Sequence, residues 1–184
     1  MAKLEGRRIA VLVTDGVEEV ELREPVKALQ DEGAEVVVAS PDGNPVQLMR
    51  HDEKTSKAEA QMRTLDLTTR DFDGVLLPGG TMNADQLRMD EDARRFVRAM
   101  DDDHKPIAAI CHAPWLLVSA RIVQGRILTS YATLQDDIRN AGGTWVDKAT
   151  NVDRNLLTSR HPGDIPAFNE KMVEMFASVS TALR

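Results

Sequence analysis

Four short apolar runs recur along the chain with no polar alternation inside them: 8–14, 35–40, 73–78 and 107–110. A strand that is apolar on both sides cannot leave one face in water, so each run reads as a strand buried on both faces, the habit of parallel sheets. Helical patterns lie between and after them. One falls between Val20 and Glu32 and stops at Gly33, with Pro25 obscuring its start. A second spans Glu91 to Asp102 with Phe96 and Met100 facing inward, and a third spans Pro114 to Ala120. Near the C-terminus Ile165, Phe168, Met172, Met175, Phe176 and Val179 recur at helical spacing, a core stripe. The stretch from Pro41 to Thr69 is polar and irregular, with room for short edge strands. Alternating strands and helices imply an α/β domain with a parallel sheet covered on both faces. No boundary, repeat or low-complexity tract divides residues 1–184, so one domain is expected.

In such sheets ligands bind at the carboxyl ends of the strands. Three of those ends carry chemistry: the Glu18 region, Gly79-Gly80 and Cys111. Cys111 is the only cysteine, and it lies between a strand ending at Ile110 and a helix starting at Pro114. Only a tight corner fits there, and the small residues Ala109 and Ala113 flank it, which is the logic of a nucleophile elbow. A following helix turns its N-terminus toward the thiol and favours the thiolate. The plain alternative is a small core residue.

Composition removes several other functions. A net charge of −7 argues against a nucleic-acid footprint, and 4% aromatic content offers few stacking platforms. One cysteine fits a reducing, cytoplasmic setting. The N-terminus lacks the apolar segment of a secretory signal, and no run reaches membrane-spanning length.

Gly79-Gly80 can offer backbone N–H groups to a developing oxyanion, or simply form a tight turn. Glu18, Glu19 and Glu21 follow the first strand; a carboxyl near the thiol can stay protonated and donate to sulfur. Spacing does not choose among the three, which equally suit an acidic helix start. His112 follows the thiol directly, His161 is the alternative hydrolase partner, and His104 reads as a surface residue. No grouping of His or Cys has metal-ligand spacing.

The blocks Val17-Glu-Glu-Val-Glu-Leu22, Leu76-Leu-Pro-Gly-Gly80, Ala108-Ala-Ile-Cys-His-Ala-Pro114, Asn140-Ala-Gly142, Leu157-Thr-Ser-Arg160 and Asp164-Ile-Pro-Ala-Phe168 together resemble the ThiJ/PfpI superfamily. The similarity is greatest to its PfpI (intracellular protease I) branch and that branch's general-stress relatives. It implies a flavodoxin-like three-layer sandwich with a mostly parallel central sheet, like the class I glutamine-amidotransferase domain. It implies that Cys111 is the nucleophile with His112 beside it. By this match Glu18 hydrogen-bonds the thiol, and Glu21 is a second acidic position. Gly79, Gly80 and the His112 backbone match the oxyanion-binding amides. The resemblance also implies a homodimer or higher homo-oligomer in which Asp85 reaches a neighbouring subunit's site. Asp85 is shorter than the family's glutamate, and Ala113 replaces a usual glycine, so a peptidase triad departs from the pattern. No cofactor is implied. The substrate is then a small aldehyde or a peptide, and three activities stand open: a glyoxalase or deglycase acting on methylglyoxal or its adducts, a peptidase, and a non-catalytic oxidative-stress sensor or chaperone.

Overall fold

The computed structural model describes residues 2–178; Val179, the last member of the C-terminal stripe, lies outside them. The first apolar run forms strand β1 (Arg8–Leu12), and its side chains divide by parity. Ala10 and Leu12 join one buried cluster, and Ile9 and Val11 join the other. A strand that feeds two cores must lie in the middle of a three-layer structure.

The remaining strands, in chain order, are β2 (Val17–Glu18), β3 (Glu35–Ser40), β4 (Val46–Arg50), β5 (Glu53–Ala58), β6 (Met62–Arg63), β7 (Gly74–Leu77), β8 (Ile107–Ile110), β9 (Ile127–Leu128), β10 (Thr144–Trp145), β11 (Thr150–Asp153) and β12 (Leu156–Ser159). With β1, six of them form the seven-stranded central sheet in the order β11-β12-β8-β7-β1-β3-β6. Every pairing in it is parallel except that of β11 with β12. The helices are α1 (Glu19–Asp31), α2 (Thr81–Leu87), α3 (Glu91–Asp102), α4 (Pro114–Ser119), α5 (Gln135–Asn140) and α6 (Ile165–Ala177). Leu22 and Leu29 of α1 pack with Phe168, Met172 and Phe176 of α6 on one face of the sheet. Phe96 of α3, Leu116 of α4 and Ile138 of α5 cover the other. Pro25 sits inside α1, where its ring removes one helical donor without ending the helix.

The polar stretch after β3 is more ordered than its sequence implies. Strands β4 and β5 form an antiparallel hairpin, and β2 adds to it in parallel. The hairpin turns at His51, which has a positive φ of 56°. This small sheet carries the turn to the mouth of the elbow, where α1 also begins. Among the described residues no helix is long and apolar enough to cross a membrane.

Candidate active site at the Cys111 elbow

Cys111 leaves β8 with φ of 64°, in the left-handed region that disfavours a residue with a Cβ. The surrounding backbone holds it there. Its N–H donates to the Ser159 carbonyl at 3.1 Å, and its carbonyl accepts from the Tyr131 N–H at 2.8 Å. The Ala113 N–H closes the corner onto the Ile110 carbonyl at 3.1 Å. Strain of this kind, on the order of 1–3 kcal/mol, survives only where neighbours over-determine it. The result presents the sulfur at the floor of an open cleft of about 380 Å³.

The carboxyl against the thiol belongs to Glu21, which is fully buried. Its Oε2 accepts the Gly79 N–H at 2.8 Å. Oε1 has no nitrogen or oxygen partner, so the Cys111 sulfur is the carboxyl's other neighbour. Burial pushes Glu21 up to about 8, and the charge of Glu18 adds to the rise, against hydrogen bonds from Cys111 and Gly79. At neutral pH Glu21 therefore holds its proton. Burial pushes the Cys111 thiol up as well, and an ionised Glu21 would push it further; the Gly80 and His112 amides pull it down. The two groups titrate as a pair. Below pH ~8 the thiol faces a neutral carboxyl able to donate to sulfur, so no charge on Glu21 opposes the thiolate there. Helix α4 is only six residues long, so the amides at the sulfur matter more than a macrodipole.

This geometry corrects the expectation for Glu18. Glu18 is still extended, ending β2 one residue before α1 begins, and its Oε2 accepts the His51 N–H at 3.0 Å on the cleft rim. Glu19 turns outward to Arg23 at 2.9 Å and to Ser56 at 3.0 Å. Glu21 alone shares the face of α1 that buries Leu22, Pro25 and Leu29. Gly79 also departs from its expected role. Its N–H is occupied by Glu21, which leaves the Gly80 and His112 amides to converge on the reacting atom.

His112 Nδ1 lies 3.1 Å from the Cys111 Sγ. The ring stacks on Tyr131, with centroids 4.6 Å apart, and stands edge-on to Trp115. Burial lowers its pKa, so the imidazole is neutral near pH 7. The partner of Nε2 is the Thr81 hydroxyl at 3.4 Å, not an acid. Asp85 is exposed on α2 and makes no contact with His112 within the chain. His161 accepts the Gly163 N–H and does not line the cleft. Among the described residues no group of His, Cys, Asp and Glu is arranged to hold a metal ion.

Four residues to which the sequence assigned no individual role also build the site. Tyr131, Thr81 and His51 line the cleft. Asn83 is fully buried behind it. Its Oδ1 accepts the Thr14 N–H at 2.7 Å, and its Nδ2 donates to the Pro78 and Gly79 carbonyls at 3.0 and 2.9 Å. It therefore ties the end of β1 to the turn whose amides serve Glu21 and the sulfur. Asn83→Ala is expected to strand these groups and cost about 2 kcal/mol, measured by urea unfolding. Unchanged stability would mean that water replaces the amide without loss.

The sequence profile of the DJ-1/PfpI family matches residues 7–175. This chain belongs to the DJ-1/PfpI family. It is 37% identical to "General stress protein 18" of Bacillus subtilis, over 92% of this chain and 98% of that one. It is 36% identical to "Deglycase PfpI" of Pyrococcus furiosus, over 91% of this chain and 98% of that one. The crystal structure of Drosophila melanogaster DJ-1beta superposes with a TM-score of 0.85 at 28% identity, covering 94% of this chain and 91% of the other. The family's α/β three-layer architecture is the one described above.

Proposed function

We propose that this protein is a cysteine-dependent, cofactor-independent glyoxalase or deglycase acting on methylglyoxal or its adducts. The observation that carries this reading is the buried Glu21 carboxyl against the Cys111 thiol, raised to about 8. A carboxyl poised near working pH is suited both to give and to take a proton. The Cys111 sulfur adds to the carbonyl carbon; the S–C bond forms, the C=O π bond breaks, and the oxygen receives a proton. The neutral His112 Nδ1, at 3.1 Å, is placed to accept the thiol proton. Glu21 supplies the proton for the oxygen and then, as a carboxylate, moves the substrate's C–H proton to the adjacent carbon while the hydroxyl proton passes to the neighbouring oxygen. Water cleaves the resulting Cys111 thioester, releasing a hydroxy acid, and His112 returns its proton to the sulfur. The Gly80 and His112 amides hold the oxyanion. The name "Deglycase PfpI" borne by a relative supports this class of substrate, and "General stress protein 18" supports a stress-protective role.

A Cys–His peptidase is the second reading, favoured by the Sγ–Nδ1 contact of 3.1 Å. It requires an acid on His112 Nε2, where Thr81 stands, and the family resemblance offers Asp85 of a neighbouring subunit for that place. Turnover of methylglyoxal and of fluorogenic peptides, measured side by side with Cys111→Ser as the blank, separates the two. The carbonyl reading expects methylglyoxal loss without peptide cleavage. It also expects Asp85→Ala to stay within about threefold of wild type, since that side chain is exposed and touches none of the reacting groups. An inactive Asp85→Ala that regains activity on mixing with Cys111→Ser would instead establish a site completed across a subunit interface.

A further inference from the structure

The reacting sulfur sits in a cleft whose charged lining is one-sided. Glu18 and Asp52 stand at its rim and Glu21 at its floor, while no Lys or Arg among the described residues lines it. Glu18 has no ion-pair partner among the described residues; its bond goes to the His51 backbone. Asp52 is exposed beside it in the hairpin turn and likewise forms no ion pair among them. Arg23 and Arg50 line the adjoining groove, which Glu18 also borders, and turn to Glu19, at 2.9 and 4.0 Å. His112 is neutral for lack of solvent. The field of Glu18 reaches the floor, since it acts on Glu21. The remaining walls include Met49, Met82 and Pro162, and the other donor side chains are the Tyr131 and Thr81 hydroxyls and the His51 imidazole, none of them a Lys or Arg.

From this arrangement we infer that the cleft selects substrates by charge, admitting neutral or cationic carbonyl compounds and rejecting anionic ones such as 2-oxo acids. The inference rests on the carbonyl reading for its substrate class and on the cleft alone for its charge rule. Carbonyl adducts carried on guanidinium or ammonium side chains then fit the rim, whereas a carboxylate next to the reacting carbon meets two uncompensated negative charges.

Charged thiol reagents read the rule directly. A trimethylammonium-ethyl and a sulfonato-ethyl methanethiosulfonate carry the same reactive group; Cys111 forms the mixed disulfide with either, and methanesulfinate leaves. After division by the rates for a free thiol, the cationic reagent is expected to react with Cys111 at least about tenfold faster. The ratio should fall toward one in 1 M salt and shrink in Glu18→Gln and in Asp52→Asn. Methylglyoxal should likewise protect Cys111 from iodoacetamide at least about tenfold better than glyoxylate. Equal normalised rates for the two reagents, or better protection by glyoxylate, would overturn the inference. Protection by neither aldehyde with the reagent order intact would overturn the carbonyl reading and leave the charge rule standing.

Discussion

Glu21→Gln is expected to lower methylglyoxal turnover by at least about 100-fold, the scale of a lost general acid–base group. Glu18→Gln, on the rim, should cost less than about tenfold. The iodoacetamide rate of Cys111 below pH 8 should change little in Glu21→Gln, because the wild-type carboxyl is already neutral there and both side chains donate to sulfur. A large loss of turnover with a nearly constant thiol rate identifies a proton carrier; parallel losses would mean that Glu21 only activates the thiol. The same substitution has a signature in stability. Glu21 titrates at about 8 in the native state, well above its ordinary value of 4.5. Between those values the unfolded chain releases a proton that the native state keeps, so wild-type stability falls as pH rises through this window and levels off above ~8. Glu21→Gln has no such proton. Relative to it, wild type should lose on the order of 3 kcal/mol between pH 5 and pH 8, seen in urea midpoints. A flat difference across that range would place the carboxyl's pKa near its ordinary value and remove the argument for its role.

The layers were legible because burial on both faces leaves a plain mark in sequence. The runs at 35–40 and 107–110 form strands with those bounds, and Glu91–Asp102 is a helix over the same residues. The elbow was legible for the same reason: a strand ending at Ile110 and a helix starting at Pro114 leave no other geometry for Cys111. The choice of glutamate was less so. Spacing left Glu18, Glu19 and Glu21 open, and family resemblance favoured Glu18. The decisive signal was present but indirect: Glu21 is a carboxyl on the apolar stripe of its own helix, with Leu22, Pro25 and Leu29. A carboxyl on a buried face calls for partners, and here they are the Gly79 amide and the Cys111 thiol. The hairpin of β4 and β5 was hidden because β5 is largely exposed and polar, with no alternation to read. Asn83, Thr81 and Tyr131 come to the site from other elements, so only tertiary packing joins them to it.

Gly79→Ala should abolish activity and cost several kcal/mol of stability. Built on Gly79, a Cβ would overlap the Glu21 Oε2 and lie 2.7 Å from the Cys111 Cβ and 2.8 Å from the Ile110 carbonyl oxygen. The last two belong to the elbow backbone and its first side-chain atom, so neither can swing away without moving β8. Overpacking at such a point costs about 3 kcal/mol, and the loss of the Gly79–Glu21 bond adds to it. Turnover should vanish, because the carboxyl and the sulfur are displaced together. Two controls isolate the cause. At Gly74 an added Cβ meets only side-chain tips, the Ile9 Cδ1 and the Phe176 Cζ, both at 3.3 Å, so Gly74→Ala should cost about 1 kcal/mol. Gly125 has open space but φ of 70°, so Gly125→Ala should show the backbone penalty alone, also about 1 kcal/mol, with full activity. A double-mutant cycle then divides the clash. Glu21→Ala removes the nearest obstacle, so Gly79→Ala should cost less in that background by at least about 1 kcal/mol. The residual cost measures the collision with Cys111 and Ile110. If Gly79→Ala were as stable as wild type and active, the turn would have room that this packing denies, and the placement of Glu21 between Gly79 and Cys111 would be wrong.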